Sequence, residues 1–176
     1  EVSDALEITA RGTVGAAAGT ALIAQDTTTI SAAGQTVLLD NANNDFQGEV
    51  RVDADRLTIR DINSLELDES TIRTETRATA IGEDLTVSRS DLAAAQLEAG
   101  NALVAEDVTG DAVTMVAGGP ATVARFSVDS LDLTAGALMT LLEGSATAIT
   151  LNGNVDANLA TILTSRLTAT DLASVS

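Results

Sequence analysis

The sequence predicts an all-β chain wound as a right-handed parallel β-helix, or β-solenoid, of about ten coils of roughly 18 residues, forming a single domain over residues 1–176. Three observations carry this. Gly82, Gly100, Gly118 and Gly136 stand 18 residues apart, and Gly153 follows after 17. Between the glycines apolar residues alternate with polar ones, which places one set on one face of a strand. Aromatic residues are 1% of the chain while 45% is hydrophobic, so the core must be built from Leu, Val, Ile and Ala. A thin, repetitive core suits those side chains better than a globule anchored by large rings.

The elements follow in order. Leu6 and Ile8 open the chain in "LEITARG", and Val50 with Val52, Leu57 with Ile59, and Leu65 with Leu67 repeat the alternation. It continues at Leu85 and Val87, Val113 and Met115, Leu131 and Leu133, and Ile149 and Leu151. Stepping back from Gly82 gives Ser64, then Gly48, Gly34 and Gly12 at looser intervals; stepping forward from Gly153 gives Asp171. The strands read as too short to pair locally as hairpins, so each must pair with its equivalent in the next repeat. Small residues at the corners let the chain turn without crowding. Two stretches, 90–100 and 137–144, carry a helix signal of an Ala or Leu run stopped by Gly. Both lie in phase with the glycines, and stacked neighbours are expected to override so weak a propensity.

Charge excludes several functions. Twenty-six acids face nine basic residues, all of them Arg, for a net charge of −17. A nucleic-acid partner is not expected, because phosphate binding needs clustered positive charge. The arginines Arg51, Arg56, Arg60, Arg73, Arg77 and Arg89 are interleaved with Asp and Glu, which reads as a solvated surface of mixed charge. No apolar run approaches the ~18 residues of a membrane span, so no membrane insertion is expected. The chain lacks Cys, which removes any disulfide framework. It also lacks His, Lys, Tyr and Trp, the commonest acid–base groups, nucleophiles and sugar-stacking platforms, so no enzyme activity is expected. The first residue is Glu1 rather than Met, which reads as a processed or cut N-terminus.

One stretch is specific. "LDNANNDFQGEVRV" (39–52) sets Phe46, one of two phenylalanines, among Asn44, Asp45 and Gly48. Asn and Asp satisfy backbone groups in turns, and the ring is expected to fold over the corner and plug the core. A run ending Asn-Asp-Phe-x-Gly, leading into "LTIRDINSLEL" and the later "LTV", "LTAG" and "ITLNGNV" units, resembles the degenerate repeats of filamentous-haemagglutinin-like exported proteins. Those are large β-helix adhesins of the two-partner-secretion and autotransporter type; their N-terminal secretion domain has no match here. The resemblance implies a structural protein that is extracellular or on the cell surface.

The same stretch offers hard oxygens at Asp40, Asn44, Asp45 and Glu49 that Ca²⁺ could take, but the spacing is that of neither an EF-hand loop nor a calcium-binding β-roll. The expectation is no metal and no cofactor, with calcium as the weak alternative. Both ends are in phase with the repeat and show no cap. Leu6 and Ile8 at one end, and Leu167 and Leu172 at the other, are therefore expected to pair with copies of the chain head to tail, or with the remainder of a larger β-helix. The first makes a filament; the second makes the chain a stalk segment of a secreted adhesin that binds a surface or glycan. In coil length the sequence is also similar to bactofilins, polymerising β-helix scaffolds.

Overall fold

The computed structural model describes residues 1–17, 19–153, 156–170 and 173–175. They form a β-solenoid of about nine coils, one fewer than the glycine count predicts. No helix occurs among the described residues, and every strand pairing is parallel. The first coil carries β1 (Leu6–Thr9), β2 (Val14–Gly15) and β3 (Ile23–Ala24), the second β4 (Thr28–Leu39) and β5 (Asp45–Phe46). Then come β6 (Val50–Asp61), β7 (Leu65–Asp68), β8 (Thr71–Ala80), β9 (Leu85–Ala99) and β10 (Leu103–Ala117). β11 (Ala121–Ala124), β12 (Ser127–Ala135), β13 (Met139–Asn152), β14 (Asp156–Thr170) and β15 (Ser174–Val175) complete the chain. Both helix-like stretches are strand over 90–99 in β9 and 139–144 in β13, because their residues fill positions that the coils beside them hold in register.

Three ladders run along the axis. The first stacks Leu65, Leu85, Leu103, Ala121 and Met139, the second Thr71, Asp91, Thr109, Ser127 and Ser145, the third Thr76, Ala95, Val113, Leu131 and Ile149. With neighbouring strands ~4.8 Å apart, nine coils make a rod about 40 Å long. Alternation sends Leu97, Met115, Leu133 and Leu151 inward, all under 2% exposed, while the residues between them face water.

The strands are longer than the sequence suggests. β9 and β10 run 15 residues each because the first corner does not interrupt them. At that corner one residue per coil takes left-handed backbone: Glu69, Arg89, Asp107, Arg125, Glu143 and Thr161, with φ between 45° and 56°. A single left-handed residue turns the chain and lets the ladder resume on the next face.

The corner between the third and first ladders holds Gly82, Gly100, Gly118 and Gly136. None of them has positive φ. Their reason is close approach: a Cβ on Gly118 would fall inside the contact radius of the Gly100 carbonyl oxygen, and one on Gly136 would meet that of Gly118. Gly118→Ala should therefore lower stability by about 1–3 kcal/mol. Gly12→Ala, where nothing lies within 4 Å, should change it by no more than about 0.5 kcal/mol. Urea unfolding of the two variants checks this; equal effects would show that the glycine column is not a steric requirement.

Candidate functional site

The left-handed corner is a ladder of alternating charge. The left-handed column reads Glu69, Arg89, Asp107, Arg125 and Glu143 before Thr161, and Arg51 reaches its first member from the coil before. Arg51 lies 2.6 Å from Glu49 and 3.4 Å from Glu69; Arg89 pairs with Asp68 and stands 3.7 Å from Glu69; Arg125 lies 2.7 Å from Asp107 and also binds Glu106. Most of these side chains are about half exposed, where single ion pairs add little. Asp68 differs: its side chain is 1% exposed, and it accepts from both Arg89 and the Ser88 hydroxyl (2.6 Å). The Arg89 hydrogen bond holds the Asp68 carboxyl below the ordinary carboxylate range. Just inside the corner, the Ser70 Oγ accepts from Val52 N–H and the Ser90 Oγ from Ser70 N–H, so buried backbone donors are met coil by coil. Further along, Phe126 occupies this inner column, and its ring takes the space that a Cβ on Gly144 would need.

The opposite corner joins two kinds of coil. Leu6, Thr28 and Val50 stack at intervals of 22 residues, whereas Leu85, Leu103, Ala121 and Met139 stack at 18. Asn44 is fully buried at the join: its Oδ1 accepts from Leu22 N–H in the coil before (2.8 Å), and its Nδ2 donates to the Leu39 carbonyl (2.9 Å). Phe46 is buried over Ala24. Its N–H donates to Asp61 Oδ2 at 2.6 Å, and Asn63 N–H donates to Asp61 Oδ1 at 2.7 Å. Asp61 sits, fully buried, where later coils place Ala80, Ala99, Ala117 and Ala135. Burial pushes its carboxyl above the ordinary range; nearby Asp45 and Glu83 push the same way, against its two backbone hydrogen bonds.

The outer side of the third ladder carries a trough of about 480 Å³. Thr58 and Arg60 of β6, Arg77 and Thr79 of β8, Gln96 and Glu98 of β9, and Thr114 and Val116 of β10 line it, with Asp40 at one end.

The predicted calcium ligands are not gathered. Asn44 spends both side-chain atoms on backbone, Asp45 accepts from Gln47 and Asn63, Glu49 pairs with Arg51, and Asp40 lines the trough. Among the described residues no group of three or more His, Cys, Asp or Glu is placed to hold a metal ion. Of the predicted end residues, Leu6 and Ile8 are half-buried, Leu167 is 44% exposed, and Leu172 lies outside the described residues. Gly48 packs against the Asp26–Thr27 backbone, and Gly153 has φ 140°. Sequence reasoning missed Asp61, Phe126 with Gly144, and the charge ladder. Their signal was available: residues 89, 107, 125 and 143 step by 18 in parallel with the glycines, and Phe126 stands one period before Gly144.

Residues 1–53 match a family model described as "Repeats of unknown function (DUF5649)". The match spans the two 22-residue coils and stops where the 18-residue register begins to take over. No curated protein and no solved structure matches the chain.

Asp61→Ala, which restores the residue type of the later coils, should cost about 1–3 kcal/mol because it strands the buried Phe46 N–H and removes the acceptor of the part-buried Asn63 N–H. Chemical unfolding would expose the opposite result, a neutral or stabilising change, if the corner relaxed. For Asp68 the sign follows from its lowered pKa: its contribution is fully present above the ordinary carboxylate value of about pH 4 and is lost progressively as pH falls below it toward the lowered folded-state value. Asp68→Asn should thus lower the Tm at neutral pH and flatten its decline below about pH 4. A parallel shift of the whole Tm profile would contradict this.

Proposed function

We propose that this chain is a structural rod: an extracellular or cell-surface element whose role is to hold length and stiffness, with no chemistry of its own. The observation that supports this most directly is the mainly aliphatic core running through the coils, in which each described coil pairs in parallel with the next and most of the charge stays outside. The match to repeats over the first coils fits a repeat β-solenoid, and the likeness of Asn44, Asp45, Phe46 and Gly48 to filamentous-haemagglutinin-like repeats favours a surface location. Rods of this kind join lengthwise by adding strand to strand. Copies of this chain are proposed to do so head to tail, with the apolar edge at Leu6 and Ile8 meeting that at Leu167, and without a need for calcium.

Electron microscopy of the purified chain over a range of concentrations, with and without calcium, tests the joining step. Fibres with a long-axis repeat of a whole number of ~4.8 Å coils are expected, and Leu167→Asp or Leu6→Asp should abolish them. Discrete rods at every concentration would remove self-assembly and leave the rod as a stalk within a larger surface protein.

A further inference from the structure

The net charge of −17 is not spread evenly. The outer face of the third ladder carries Arg56, Arg60, Arg77 and Arg166 against Asp40, Glu75, Glu98 and Asp132, an even balance, so the acid excess lies on the rest of the surface. On β6 alternation places Arg56, Thr58 and Arg60 outward together. Arg51, Arg73, Arg77, Arg89 and Arg125 are tied to carboxylates, but Arg56 and Arg60 make no ion pair among the described residues, and Arg60 lines the trough.

We propose that this trough binds a linear uronate-bearing polysaccharide lying along the solenoid axis. Its floor crosses four stacked strands, a run of roughly 15 Å. A guanidinium without a partner recognises a carboxylate by two parallel hydrogen bonds, and Thr58, Thr79, Gln96 and Thr114 offer the donors and acceptors that sugar hydroxyls use. Asp40 and Glu98 in the same trough accept hydroxyl hydrogens but repel a dense polyanion. The negative charges of the ligand must therefore be spaced and separated by hydroxyl groups, as in a polyuronate and unlike a nucleic acid. An acidic peptide fits less well: the strands beneath already pair on both sides, so none is open for strand addition, and the trough has no deep apolar pocket for side chains. This inference is independent of lengthwise assembly.

Affinity electrophoresis and calorimetry with polygalacturonate, its fully methyl-esterified form, dextran sulfate and single-stranded DNA test it. Polygalacturonate alone should retard the protein, saturably and less so as salt rises. The double variant Arg56→Gln/Arg60→Gln, exposed and so expected to fold, should bind about tenfold or more weakly, and Arg60→Lys should retain part of the affinity. Arg11→Gln, away from the trough, should bind as the parent does. Retardation by the esterified polymer to the same degree, by dextran sulfate or DNA in place of polyuronate, or undiminished binding by the double variant would each overturn the proposal, as would no binding at all.

Discussion

Every residue in this molecule must be compatible with its own equivalents one coil above and one below, because parallel strands ~4.8 Å apart set like positions in direct contact. That constraint explains choices that look arbitrary along the chain. Phe126 is accommodated because the next residue in its column is Gly144, whose missing side chain leaves room for the ring. Phe46 stacks on Ala24 in the same large-on-small way. In the third ladder Thr76 lies between Leu57 and Ala95, fully buried, with its hydroxyl unpartnered. Such a column tolerates a single polar intruder but not a run of them.

The same constraint makes a change of coil length costly, and the chain concentrates its buried polar groups where the change occurs. Between the 22-residue coils and the regular 18-residue ones, register shifts fall between Ala32 and Thr36, Ala54 and Arg56, and Ile72 and Glu75. Over the same coils backbone donors lose their ladder partners, and Asn44, Asp61, Ser70 and Ser90 replace them. From β10 onward the coils repeat at 18 residues, and among the described residues only the Thr164 hydroxyl, which accepts from Arg166 N–H at 3.3 Å, plays such a part. Asp61 therefore belongs to a joint: a carboxylate kept inside the rod, despite its desolvation, because it meets the buried amide hydrogen of Phe46 and gathers that of Asn63 as well.

What the sequence made legible was whatever repeats with one residue type. The glycines, the Leu and Val alternation and the absence of rings each point to stacked coils, and the rule that stacking overrides local propensity settled the helix-like stretch at 90–100 in favour of strand. The charge ladder was hidden because the repeating property is backbone conformation, not residue identity: Glu, Arg, Asp and Thr all occupy it. Asp61 was hidden because a polar residue at an apolar phase reads as noise until the two N–H groups it serves are seen. The trough needs strands 19 or so residues apart to be laid side by side, which alternation within one strand cannot show.

The charge distribution gives the rod a direction. Two acidic rods approaching side by side repel along their whole overlap, while lengthwise approach brings together far less of the charged flank. Arginine alone serves as the counterion at the corner. A planar fork can bridge two carboxylates of the neighbouring coil, as Arg125 does with Glu106 and Asp107, where an ammonium would offer only a point charge. The arginines at that corner are thereby consumed within the molecule, Arg51 and Arg89 tying the coil of Asp68 and Glu69 to its neighbours and Arg125 tying its own coil to that of Asp107. Those on the outer face of the third ladder are only partly so engaged, and a surface that repels most anions is left with one side on which a sparsely charged polymer can lie.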